Sequence, residues 1–156
     1  MSGAPESGGR PVLLTVTGKQ TDPEGNTQET VNLYRAVQTR SGEGYLFSYR
    51  GDDTDVCLFV SRKKAWMQRG SRESARMVFD PSVPSVHCDY ETAYGTIPME
   101  IRTEKISVLG GGLRANDIPF SGRENSDLQA RIRYKLVMGQ DYELTCSVTV
   151  KTQRAN

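Results

Sequence analysis

Two neighbouring runs near the C-terminus alternate between apolar and polar side chains, and that rhythm restricts the fold more than any other feature. In residues 128–138, Ile132, Tyr134, Leu136 and Met138 oppose Arg131, Arg133 and Lys135. In residues 142–150, Tyr142, Leu144, Cys146, Val148 and Val150 oppose Glu143, Thr145, Ser147 and Thr149. Successive side chains of a strand point to opposite faces, so a period of two sets one face on a core and the other in water. Gly139-Gln140-Asp141 between the runs is a short hairpin connection. No segment keeps a 3.6-residue period. The chain therefore reads as all-β, with about 8–10 antiparallel strands in a sandwich or a barrel.

The rest of the chain supplies the other strands. Val12, Val16, Thr15 and Thr17 make a β-branched first strand, closed by the turn residues Asp22, Pro23, Gly25 and Asn26. Val31, Leu33 and Val37 share one face of the second strand, opposite Asn32, Tyr34 and Gln38, with Arg35 on the apolar side and Ala36 on the polar one breaking the pattern. Tyr45, Phe47 and Tyr49 repeat at period two, and residues 56–61 are apolar on both faces. Shorter strands are predicted at residues 65–69 and 76–80, around a Gly70-Ser71 turn. Residues 86–94 run into a corner between Gly95 and Pro98, since proline lacks the N–H that a central ladder needs. Beyond it Ile97, Met99 and Ile101 are odd-numbered, whereas Ile106 and Val108 are even. That slip predicts a β-bulge near residues 103–105. Residues 110–127 carry no pattern and read as a long loop. The expected organisation is a disordered segment at 1–11, one β domain at 12–152 with the long loop at 110–127, and a frayed tail at 153–156.

Composition removes several classes of function. A chain of 156 residues, 36% hydrophobic, is long and apolar enough for one real core. A formal charge of +1 gives no global field toward nucleic acid or membrane. No apolar run is long enough to span a bilayer as a helix, and residues 1–10 lack the pattern of a signal peptide, so a cytoplasmic protein is expected. Cys57, Cys88 and Cys146 are odd in number and form no CxxC, which predicts small buried thiols rather than a disulfide framework.

A family likeness rests on specific stretches: Met67-Gln68-Arg69-Gly70, Arg76-Met77-Val78-Phe79, Tyr90-Glu91-Thr92-Ala93-Tyr94-Gly95-Thr96-Ile97-Pro98, Met99-Glu100-Ile101-Arg102-Thr103 and Arg131-Ile132-Arg133-Tyr134-Lys135-Leu136. In these the chain resembles the YwiB-like family of bacterial calycin-like barrels, whose function is uncharacterised. The resemblance implies a closed antiparallel, lipocalin-like β-barrel, related in architecture to lipocalins and fatty-acid-binding proteins. It implies no activity. The stretch 110–127 looks longer than the family pattern.

The candidate chemistry is sparse. In His87-Cys88-Asp89 the first two side chains should face opposite ways, so they make no nucleophile–base pair. With one histidine and no spaced cysteines, neither a metal site nor a cofactor is expected. Asp89, Glu91 and Glu100 crowd the corner and would make an acid–base pair only if their titrations were split; carboxylates paired with neighbours such as Arg102 are the commoner arrangement. Gly110-Gly111-Gly112 has no helix behind it to cradle a phosphate. The segment 62–76 gathers Arg62, Lys63, Lys64, Arg69, Arg72 and Arg76 around Trp66, as single-stranded nucleic acid or an acidic partner would require. The leading expectation is a non-catalytic barrel that holds a small amphipathic or anionic molecule inside. Tyr90, Thr92, Tyr94 and Tyr134 would form the wall, Arg69 or Arg76 the cation, with Glu100 beside them and the 110–127 loop, carrying Phe120, as a lid.

Overall fold

The computed structural model describes residues 9–70, 76–110, 127–139 and 142–155, with Glu91 and Thr92 as backbone alone. It contains ten strands: β1 (Arg10–Thr21), β2 (Thr27–Ser41), β3 (Gly44–Gly51), β4 (Thr54–Val60), β5 (Ala65–Arg69), β6 (Met77–Phe79), β7 (Val86–Thr92), β8 (Gly95–Leu109), β9 (Gln129–Met138) and β10 (Tyr142–Arg154). There is no helix among the described residues. One antiparallel sheet runs in the order β6-β5-β4-β3-β2-β1-β10-β9-β8-β7. Every strand thus pairs with its neighbours in sequence, and β1 pairs with β10, save for one break between β6 and β7. Across that break β6 still lies against β7 and β8. The result is a nearly closed up-and-down barrel. Its break falls where Pro81 and Pro84, which carry no N–H, follow the shortest strand.

Alternation sets the inner face. Val12 and Leu14 on β1, Tyr45, Phe47 and Tyr49 on β3, and Val56, Leu58 and Val60 on β4 pack with Ala130 and Val150 in one buried cluster. Phe79, Cys88, Met99, Ile101, Ile132, Tyr134, Leu136 and Cys146 form a second. Ile106 and Val148 pack against both clusters, so side chains fill most of the barrel. The predicted bulge is present: the β8–β9 register shifts between Thr103 and Lys105, which returns Ile106 to the inner face after Ile101. Asp52 and Asp53, both at positive φ (53° and 65°), make the two-residue β3–β4 turn.

On β2 the structure decides which face turns inward, and it is not the more apolar one. Ala36 and Gln38 face inward and are buried, while Val31 and Leu33 are each 63% exposed and Val37 also points out. The cause lies in the flanking strands. Ala36 stands between Val12 and Tyr49, both buried, and Tyr34 stacks on Tyr49 at 4.5 Å between ring centroids. Turning β2 over would set its outer face among those inward side chains, so its neighbours decide its orientation. The consequence is a buried amide: among the described residues neither Nε2 nor Oε1 of Gln38 has a hydrogen-bond partner.

Two substitutions test this core. Phe47 is fully buried, so Phe47→Ala should cost about 3–5 kcal/mol in urea unfolding. Gln38→Leu, which removes an unpaired amide at nearly constant volume, should raise stability by about 1 kcal/mol; a clear loss would mean that the amide is satisfied.

Candidate functional site

On the outside of the barrel, β3 to β6 carry a cross-strand row. Leu46 is paired with Phe59, Phe59 with Trp66 and Trp66 with Val78. The Phe59 and Trp66 rings lie 5.9 Å apart and 21° from parallel. The Arg76 guanidinium sits 4.0 Å from the Trp66 ring centroid, and its Nε donates to Gln68 Oε1 at 2.9 Å. Gln68 in turn donates from Nε2 to the Gly70 carbonyl at 3.1 Å, so a chain of contacts fixes the cation on the indole. Beside these rings a groove of about 420 Å³ opens between Ser41-Gly42-Glu43 and the turn that carries Ser61, Lys63 and Lys64. That turn is held by hydrogen bonds of its own. Ser61 Oγ accepts from the N–H groups of Lys63 (3.3 Å) and Lys64 (3.0 Å) and donates to the Lys64 carbonyl at 2.8 Å. Lys64 Nζ reaches Asp80 at 3.8 Å, which leaves Lys63 at the rim. Arg72 lies outside the described residues.

A second polar cluster joins β7 to β8. His87 lies opposite Glu100 in the register; its Nδ1 is 2.9 Å from Glu100 Oε2 and its Nε2 2.8 Å from Asp89 Oδ1. Two carboxylate acceptors call for two N–H donors, which only the imidazolium has. The bonds to Glu100 and then Asp89 accordingly raise the His87 pKa above its ordinary value. Glu100 is held low by His87 and by Ser85, whose Oγ donates to Oε1 at 3.0 Å. His87, ahead of Arg102, is thus the partner of this acid. A carboxylate held low makes a poor general acid at neutral pH, so an acid pair built on Glu100 gains nothing from this geometry. Ser85 bonds to Glu100 rather than to the imidazole. The buried Cys88 faces inward, its thiol pushed up by burial. The side chain of Glu91 lies outside the described residues, and among those described no group of three potential ligands is placed to hold a metal.

Of the seven side chains expected to line one cavity, the six that are described do not come together. Tyr134 is inside, its ring 4.8 Å from that of Phe79, with the hydroxyl bonded to Cys146. Burial pushes the Tyr134 phenol up and the Cys146 thiol up to about 11. Tyr134 borders a cavity of about 200 Å³, which Gln20, Gln28, Thr30 and Val148 also line. Tyr90, by contrast, is half exposed and Tyr94 fully exposed. Both share the parity of inward Cys88, but β9 ends at Met138, opposite Met99, so the β7–β8 hairpin overhangs the barrel there. Arg76 is on the outer face, Arg69 is exposed at the end of β5, and Glu100 is outside with His87. The side chain of Thr92, and residues 111–126 with the proposed lid and Phe120, lie outside the described residues.

Comparison with known proteins agrees with the fold. A family model described as a domain of unknown function (DUF1934) matches residues 14–150, and the chain belongs to that family. The crystal structure of ywiB protein from Bacillus subtilis superposes with a TM-score of 0.62 at 15% identity, covering 95% of this chain and 94% of that one. No curated protein matches the sequence.

The His87 clamp makes stability depend on pH with a definite sign. Its contribution is complete below the unfolded histidine value of 6.5 and is lost as pH rises through the higher folded value. On the acid side the Glu100 contribution is present above 4.5 and disappears as pH falls through its lowered value. The difference in urea midpoint between wild type and His87→Gln should therefore be largest between those limits and shrink on the alkaline side. A difference independent of pH would show that the clamp carries no stability.

Proposed function

We propose that this DUF1934 barrel is a binding protein that works through its outer surface, with the Trp66 groove as a site for single-stranded nucleic acid. The observation that carries the reading is the Arg76 guanidinium stacked on Trp66 beside Phe59, above a groove rimmed by Lys63. A base has a π-face that stacks on an aromatic ring or on a guanidinium plane, and its phosphate meets a nearby cation. Gly42 at the opposite rim adds no side chain to block entry. With a formal charge of only +1, the protein lacks a broad basic surface, so binding rests on this local site, is weak and falls with salt. The three cysteines are free, which supports a reducing, cytoplasmic setting.

A second reading keeps the ligand inside. The space beside Tyr134 is about 200 Å³, below the roughly 300–1,000 Å³ of drug-sized pockets, so its occupant would be a molecule of a few heavy atoms. Native mass spectrometry of gently purified protein reads this directly as an added small mass; a bare protein counts against it.

Fluorescence anisotropy with a short single-stranded RNA at low salt tests the first reading. Trp66→Ala should weaken binding by about 1–3 kcal/mol. Lys63→Glu should weaken it and flatten its salt dependence. Failure of wild-type protein to bind at low salt would overturn the proposal.

A further inference from the structure

Among the described residues that line the Trp66 groove, Glu43 is the one acid. A phosphate would be repelled there, so a nucleic acid must meet Glu43 through another of its parts. Glu43 is exposed and, among the described residues, in no ion pair and no side-chain hydrogen bond. Its place on the rim is nonetheless fixed. Gly42 and Glu43 are the two central residues of the β2–β3 turn, closed by Ser41 opposite Gly44. Gly42 takes the positive φ, 56°, that the first position of such a turn needs, and its carbonyl accepts from Arg40 Nε at 3.3 Å. Arg40 itself lies over the Tyr45 ring, 5.6 Å from the centroid. On the other side, a Cβ at Gly44 would collide with the Val60 carbonyl and stand 3.0 Å from Phe59 Cζ. The turn is therefore packed directly against the end of β4, which sets the backbone at Glu43 beside the aromatic wall.

Resting on the nucleic-acid reading of this groove, we propose that it selects guanine in a single strand and that Glu43 reads the base. An ionised carboxylate accepts hydrogen bonds and donates none. Guanine, unlike the other common bases, presents two adjacent N–H donors on its Watson–Crick edge, from ring N1 and exocyclic N2. They match the two oxygens of a carboxylate as a bidentate pair. Adenine and cytosine set an acceptor nitrogen beside their amino donor, and uracil flanks its single N–H with two carbonyls. Each of these would turn a lone pair toward Glu43. The two rims suit the two ends of one nucleotide. The Watson–Crick edge lies across the base from the sugar, and Lys63 stands across the groove from Glu43, where it meets the phosphate. Phe59 and Trp66 supply the ring surface on which the base lies between them.

Fluorescence anisotropy of the full chain with three short RNAs at low salt tests the choice of base: an oligouridine, the same strand with one central guanosine, and the same strand with inosine there, which lacks the exocyclic amino group. Length and charge are identical, so ratios of affinity report the base alone. Wild type should bind the guanosine strand about tenfold more tightly than the oligouridine, and inosine should forfeit most of that gain. Glu43→Gln should bring the guanosine-to-uridine ratio to about one, whatever the loss of its charge does to both affinities. Glu43 is exposed on a turn, and circular dichroism checks that the variant is folded. Equal binding of the guanosine and uridine strands by wild type, an inosine strand bound as tightly as the guanosine one, or a preference that survives Glu43→Gln would each overturn the selection of guanine and leave the nucleic-acid site standing. Failure to bind any of the three strands would overturn both.

Discussion

The ladder between the first and last strands decides the rest of the molecule. Val12 to Thr21 on β1 pair with Arg154 back to Thr145 on β10, and this long-range register turns a meander into a barrel. Without it Leu14 and Val150, both fully buried, would line two exposed edges. With it, the sheet has one remaining gap, between β6 and β7, and all inward side chains converge on a shared interior. Closing so long a loop costs chain entropy, and this pairing joins residues further apart in sequence than any other strand pair of the sheet.

Closure also locates the surfaces left for function. The inner face carries Tyr45, Phe47, Leu58 and Ile132, which fill much of the barrel, and a small space lies beside Tyr134. On the proposed reading recognition shifts outward, to where long strands outrun their neighbours or turns bring cations to aromatic rings. The Trp66 groove is of the second kind. The β7–β8 overhang is of the first. His87, bonded to Asp89 and Glu100, holds part of that overhang together.

Much of this was legible in the sequence, and the rest was hidden for identifiable reasons. The alternation of β9 and β10 and the phase slip at Thr103 depend only on local spacing, and both are found in the structure. The face of β2 was hidden because Arg35 and Ala36 blur its own pattern, and the choice belongs to Val12 and Tyr49 on the flanking strands. Tyr90 and Tyr94 have the parity of the interior, but parity does not reveal that β9 stops short of them. The pairing of His87 with Glu100 was within reach: counting outward from a two-residue turn at Ala93-Tyr94 sets them opposite. The contact of Arg76 with Trp66 depends on the register of the short β5–β6 pair, which no turn signature fixes.

The central claim is that the outside of this barrel, and not its interior, does the binding. Backbone and indole N–H shifts in a heteronuclear NMR titration with a short single-stranded RNA address it directly. The account predicts shifts concentrated on Trp66, Lys63 and Gly42, with Tyr134 and Val148 unmoved. Shifts centred on Tyr134, Gln28 and Val148, or none at saturating RNA, would contradict it.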